Sequence, residues 1–239
     1  MSQILQSTET PRFARRRQAL RSPRAAAIAG IVFAVLFTFT IVLIRLSVPE
    51  ELSGRAVAGW SEGSLETIRL ALTAVPFAGI AFLWFVGVVR DRLGEHEDQF
   101  FATIFMGSGL LFLAMMFISA AIAAGILISY ELSPDPSTQN EVVNFGRAVM
   151  YAIMNVYAVR MAAVFMISLG TLWLRTGVMR RAFVYLTYGL ALGLLLTGSF
   201  SAWLMLAFPA WVFVISVYIL VLRMRMKASE EAEASLSME

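Results

Sequence analysis

Five long apolar stretches dominate this chain, and their lengths decide what it can fold into. Four of them cover residues 25–44, 70–89, 100–130 and 148–174, and the last stays apolar from 182 to 222. A helix needs about 20 apolar residues to cross the roughly 30 Å hydrocarbon core of a bilayer. Each of the first four stretches therefore predicts one membrane-crossing helix.

The last stretch is too long for one crossing, because a helix of its length measures about 60 Å. The small and polar sequence at 197–201 interrupts it, and we interpret the stretch as two helices, 182–198 and 202–222. The sequence thus predicts an all-α, polytopic transmembrane bundle of about six spans, contained in residues 25–224. Chains of ordinary globular proteins have a lower apolar fraction than the 59% found here.

Arginine and lysine residues at the ends of the spans predict the orientation, since cytoplasmic flanks are enriched in both. These basic residues lie in 1–24, 90–92, 175–181 and 223–227. Alternating crossings place all four groups on one face of the membrane, so both termini are predicted to be cytoplasmic. We expect a basic tail at 1–24, an acidic and disordered tail at 225–239, and a location in the bacterial inner (plasma) membrane.

Missing residue types exclude whole classes of site. The chain has no cysteine and a single histidine, His96, in a charged segment between two predicted spans. Thiolate metal sites, cysteine nucleophiles and a haem held by two histidines of this chain are therefore excluded. The only lysine is Lys227, which excludes a Walker A motif and a retinal Schiff base within a span. We predict no cofactor and no metal site.

Arg160 lies near the middle of the fourth apolar stretch. A central arginine costs about 2.5–3.5 kcal/mol on insertion scales, and no Asp or Glu lies within any predicted span. Candidate partners on its own helix are Asn155 and Tyr157, which lies three residues away on the same face, whereas Tyr151 points to the opposite face. Two interpretations stay open: Arg160 joins helices by hydrogen bonds, or it contacts a substrate, ion or lipid.

A second polar group lies at the predicted outer ends of the second and fourth spans. Asn144, Arg147 and Tyr151 follow i, i+3, i+7 spacing and therefore share one helix face. Together with Glu66 and Arg69, that face predicts an outward vestibule. A plain ring of interfacial charges is the alternative.

The predicted partners are the bilayer itself and anionic lipid headgroups, which the arginines of residues 1–24 attract. Nucleic-acid binding is not predicted, because no nucleic-acid-binding motif accompanies those arginines. Gly189 and Gly193 form a GxxxG pattern, which permits close helix packing. Packing within the bundle is the favoured interpretation, and a homo-oligomer is the alternative.

Three functions agree with these features. The first is a small transporter or channel for an anionic or neutral solute, with Arg160 facing an interior cavity. The second is a structural or accessory subunit, or scaffold, of a membrane complex. The third is a lipid-modifying enzyme that uses the outer polar group. No nucleophile and base occur at a spacing typical of an enzyme, so a non-enzymatic role is favoured.

Overall fold

A computed structural model describes residues 23–47, 62–93, 99–132, 136–177, 179–197 and 205–236. Among these residues the chain is almost entirely helical and contains no strand. The helices are α1 (Pro23–Ser47), α2 (Glu62–Leu93), α3 (Gln99–Leu132), α4 (Pro136–Tyr151), α5 (Val159–Thr176), α6 (Arg181–Thr197) and α7 (Ala207–Leu236). A π-helical segment, Ala152–Ala158, joins α4 to α5 without a break. Most of the predicted basic tail at 1–24 lies outside the described residues.

The predicted all-helical bundle of about six apolar helices is confirmed. Four helices are long and apolar enough to cross a membrane: α1, α2, α3 and the continuous helix that contains α4 and α5. Two shorter apolar helices, Arg181–Leu196 and Ala207–Val221, complete the set.

Several helices extend beyond the apolar stretches that predicted them. The second begins at Glu62, the fourth at Pro136, and the last continues to Leu236. The tail predicted to be disordered at 225–239 is therefore helical as far as Leu236. It is rich in alanine, glutamate and methionine, which favour helix even without burial. The fourth helix can begin at Pro136, because proline is tolerated in the first turn of a helix, where its missing N–H costs no hydrogen bond.

Two contacts identify the ends of the bundle. The side chain of Arg69 forms a salt bridge with Glu131, which brings the start of α2 to the end of α3. The guanidinium carbon of Arg175 lies 4.8 Å from the centre of the Phe101 ring, which brings the end of α5 to the start of α3. We call the end with Phe101 and Arg175 the inner end, following the predicted orientation, and the opposite end the outer end.

Contacts between helices also give the level of each residue along the bundle. The centres of the first two apolar stretches lie near Val35 and Ile80, and beside them the rings of Phe33 and Phe82 approach to 4.7 Å. We call this level the mid-level. On α3 it falls near Phe117, whose ring is the nearest neighbour that a Cβ at Gly79 would meet.

The mid-level of the fourth helix follows from its contacts with α3. Gly146 faces Ile126 on the outer side, and Gly109 faces Phe165 on the inner side. The residue halfway between Gly146 and Phe165 is Asn155, so the π-helical segment lies at the mid-level.

A cluster of aromatic rings fills the bundle at the mid-level and on its inner side. Its buried members are Phe33, Phe37, Phe82, Phe85, Phe105, Phe112, Phe165 and Phe208. They come from α1, α2, α3, α5 and α7, and neighbouring rings lie between 4.6 Å and 6.4 Å apart. Aromatic pairs at such distances contribute about 0.5–1.5 kcal/mol each beyond the burial of their area. This cluster is the main core of the molecule.

Gly30 on α1 marks the closest approach of α1 to α7. A Cβ added at Gly30 would lie 2.0 Å from Ser216 Oγ and 2.8 Å from a ring carbon of Phe85. Ser216 is fully buried. The first and last helices can therefore pack at this distance only because residue 30 has no side chain.

Candidate functional site

A partly enclosed cavity of about 280 Å³ lies between the outer parts of α1, α2, α3 and α4. Its polar lining residues are Thr40, Ser119, Arg147, Tyr151 and Asn155. The rest of the wall is mostly apolar. Among the described lining residues, Arg147 alone carries a charge. The cavity therefore combines one cation and several hydrogen-bonding groups with a hydrophobic wall.

Three of the predicted site residues meet at this cavity. Arg147, Tyr151 and Asn155 follow each other at intervals of four residues, so each lies one turn from the next on the same side of the helix. Arg147 is half-buried, and Asn155 is buried at the inner end of the row. The side-chain amide of Asn155 donates a hydrogen bond of 3.1 Å to the carbonyl of Tyr151. That bond fixes the orientation of the amide beside the cavity.

Asn155 belongs to the π-helical segment. At the end of this segment, the N–H of Val159 donates to the carbonyl of Met154, five residues back rather than four. Segments with this bonding pattern are rare in proteins, and a large share of those that are known lie at functional sites. Here the wider turns lie at the mid-level, where the polar row ends.

Arg160 and Tyr157 lie outside the cavity. Arg160 is half-buried, and its Nη1 donates a hydrogen bond of 2.6 Å to the carbonyl of Val156 on its own helix. Tyr157 is 57% exposed on the outside of the bundle. Neither residue is among those that line the outer cavity. The role expected for Arg160 in contacting a substrate, ion or lipid stays a prediction.

The remaining residues of the predicted vestibule are not part of the cavity either. Glu66, Arg69 and Asn144 are exposed, and none of them lines it. The guanidinium of Arg69 instead pairs with Glu131 at the rim of the bundle. Asn144 has the predicted spacing from Arg147 and Tyr151, but it lies one turn further out.

Thr40 is a lining residue that sequence reasoning missed. It is one of two threonines in an otherwise apolar outer part of α1, and it is buried. Its hydroxyl donates a hydrogen bond of 2.9 Å to the carbonyl of Leu36. A polar residue kept inside an apolar stretch was the available signal, but helix periodicity alone does not tell which neighbour it faces.

The cavity ends on two methionines. Met154 and Met205 line it, and they also line a narrow space of about 10 Å³ on its inner side. Phe112, Leu194 and Phe208 surround that space. Two of these residues belong to the aromatic cluster, so the cavity stops where the dense core begins.

The part of the chain that the structure describes contains no group of three His, Asp or Glu residues that could hold a metal ion. The side chains that line the cavity offer charge attraction, hydrogen bonding and apolar contact. Comparison with protein-family models, with curated proteins and with solved structures finds no match.

Proposed function

We propose that this chain is a small transporter or channel of the bacterial plasma membrane, and that its solute enters the outer cavity. The observation that carries the proposal is the convergence of Arg147, Tyr151 and Asn155 on one cavity between four apolar helices. Charged and polar groups that face a cavity within apolar helices typically mark substrate or ion pathways. The methionines and rings below the cavity act as the barrier that separates it from the inner side.

The lining favours a small organic anion. Arg147 supplies the lining with a positive charge, which attracts a negatively charged solute. Ile41, Leu72 and Met116 offer an apolar wall to the remainder of the solute. Pockets for drug-sized ligands range from about 300 to 1,000 Å³, so a cavity of about 280 Å³ suits a smaller molecule.

The other two functions receive less support. An enzyme that uses Glu66 as its acid–base group would need this residue near a cavity, and Glu66 lies outside the outer cavity. A role as an accessory subunit stays a prediction. An apolar groove between α1 and α2, beside the exposed Phe77 and Trp84, is the surface such a role would use, but the acyl chains of a bilayer cover such a groove equally well.

The test is a flux measurement in liposomes, with a series of small carboxylates of increasing apolar size as probes. We expect uptake above that of empty liposomes, and a loss of at least tenfold in Arg147→Gln. Arg160→Gln is the matched control, because it removes the same charge from the same helix outside the cavity. Its uptake should equal that of the unchanged protein.

Two outcomes would overturn the proposal. One is equal uptake by Arg147→Gln and the unchanged protein, with both eluting as folded protein in size-exclusion chromatography. The other is the absence of uptake for every carboxylate of the series and for chloride and phosphate.

A further inference from the structure

We propose that α6 and α7 form a re-entrant hairpin, which enters the membrane from the inner side and turns back near the mid-level. In this arrangement the chain crosses the membrane four times, and both termini stay on the inner side. The proposal does not depend on the transport function.

The contacts of α6 with α5 show where α6 ends. The methyl group of Thr187 lies 3.6 Å from the Cβ position of Gly170, and the hydroxyls of Thr171 and Tyr188 are hydrogen-bonded at 2.9 Å. The two helices run in opposite directions, so ten residues from Thr187 to Thr197 correspond to ten residues from Gly170 back to Arg160. Thr197, the last residue of α6 that the structure describes, is therefore at the level of Arg160, slightly inside the mid-level at Asn155.

The contacts of α7 with α1 show where α7 begins. Gly30 faces Ser216, and Ala207 begins α7 nine residues before Ser216. Nine residues along α1 from Gly30 is Phe39, about one turn beyond the mid-level at Val35. The ring of Phe208 lies 4.7 Å from that of Phe112 and 6.1 Å from that of Phe33, which places the first turn of α7 close to the mid-level. Both helices therefore end in the middle of the bundle.

The short connection between the two helices leads to the same conclusion. Pro209 lies in the first turn of α7, where proline favours the start of a helix. Seven residues separate Thr197 from Met205, and a chain extends at most about 3.6 Å per residue. That length is too small to reach the outer boundary and return.

The outer cavity lies directly on the outer side of the hairpin. Met205 lines the cavity floor, and Leu194 and Phe208 line the narrow space beneath it. The four long helices continue outward beyond the hairpin, and the volume that α6 and α7 leave empty is the cavity.

Spin labels on single cysteines test the depth of α6, and the natural chain has no cysteine to interfere. Leu196→Cys reports the end of α6, Leu186→Cys its inner part, and Leu132→Cys the outer end of α3. These leucines are 75%, 68% and 78% exposed, so a label fits at each. Collision rates with oxygen and with a water-soluble nickel complex give the depth of each label in liposomes.

We expect the label at residue 196 to be the deepest of the three, about 15 Å further into the bilayer than the label at residue 186. The label at residue 132 should lie near the outer headgroups. A label at residue 196 that is as shallow as the one at residue 132 would overturn the proposal. If Leu196→Cys does not fold, Leu192→Cys on the same exposed face replaces it, with an expected depth about 6 Å closer to that of residue 186.

Discussion

The inner and outer halves of this bundle are built from similar apolar sequence, yet they pack differently. In the inner half α5, α6 and α7 join α1, α2 and α3, and phenylalanine rings fill the space between them. In the outer half α1, α2, α3 and α4 surround a cavity of about 280 Å³. The number of helices present at each level, rather than composition, decides whether the interior is filled.

The polar groups of the two halves differ in the same way. In the inner half they bond across helices: the indole N–H of Trp211 donates to the hydroxyl of Thr187 at 3.0 Å, and Thr171 bonds to Tyr188. In the outer half Thr40 and Asn155 bond to carbonyls of their own helices and line the cavity. These buried polar side chains thus join helices in the inner half, whereas those of the outer half line the cavity.

The largest expected difference concerns large-to-small substitutions. Phe82 is fully buried among the inner rings, so Phe82→Ala should lower the free energy of unfolding by about 3–5 kcal/mol. Met150 is partly buried and lines the outer cavity. Met150→Ala should cost less than half as much, because it enlarges a space that already exists. Unfolding in mixed micelles, followed by tryptophan fluorescence, measures both values, and equal losses would contradict the comparison.

Small-to-large substitutions should also affect the core and the cavity wall differently. Ala78 is fully buried in the main core close to the mid-level, and Ala120 lines the outer cavity. Adding volume to a filled core costs about 1–3 kcal/mol, so Ala78→Leu should destabilise by that amount. Ala120→Leu should leave stability unchanged, because the cavity accepts the added atoms, while it reduces carboxylate uptake. Thermal unfolding of the two variants side by side checks this pair, and a loss in Ala120→Leu as large as in Ala78→Leu would show that the outer half is also filled.

A smaller effect is expected for the hydrogen bond that joins α6 to α7. Thr187→Val keeps the shape of the side chain but leaves the buried Trp211 N–H without its acceptor. We expect a loss of about 1–2 kcal/mol and a changed tryptophan emission. Thr103→Val is the control. The hydroxyl of Thr187 also donates to the carbonyl of Phe183 on its own helix, and the hydroxyl of the exposed Thr103 donates to the carbonyl of Gln99 in the same way. An equal loss in both variants would mean that the bond between the helices contributes nothing.

The smallest effect is expected at the outer rim. Arg69 and Glu131 form a salt bridge there, and their side chains are 56% and 42% exposed. Exposed pairs contribute about 0–1 kcal/mol, so the coupling energy from Arg69→Ala, Glu131→Gln and the double variant should stay below 1 kcal/mol and fall with added salt. A larger, salt-independent coupling would indicate that the outer rim is as rigid as the inner core.

Much of the architecture follows from the sequence, because the length of an apolar stretch alone decides whether a helix can cross a bilayer. The row of Arg147, Tyr151 and Asn155 is also visible in the sequence as a four-residue spacing. The opposite wall is not, since Thr40 and Met116 reach the cavity through packing between helices distant in the chain. The π-helical segment was not predictable either, because nothing in the residues of 152–158 distinguishes a five-residue bonding pattern from a four-residue one.

The close approach of Gly30 to Ser216 has a consequence for how the protein is made. These two residues are 186 positions apart in the chain, and a ribosome adds about 5–20 residues per second. The first helix therefore waits roughly 10–40 s for the last before their interface can form. During that interval the face of α1 around Gly30 is covered by lipid or by the insertion machinery. Chains that end before Ser216 are never able to close the bundle, which offers the cell a physical criterion for removing incomplete copies.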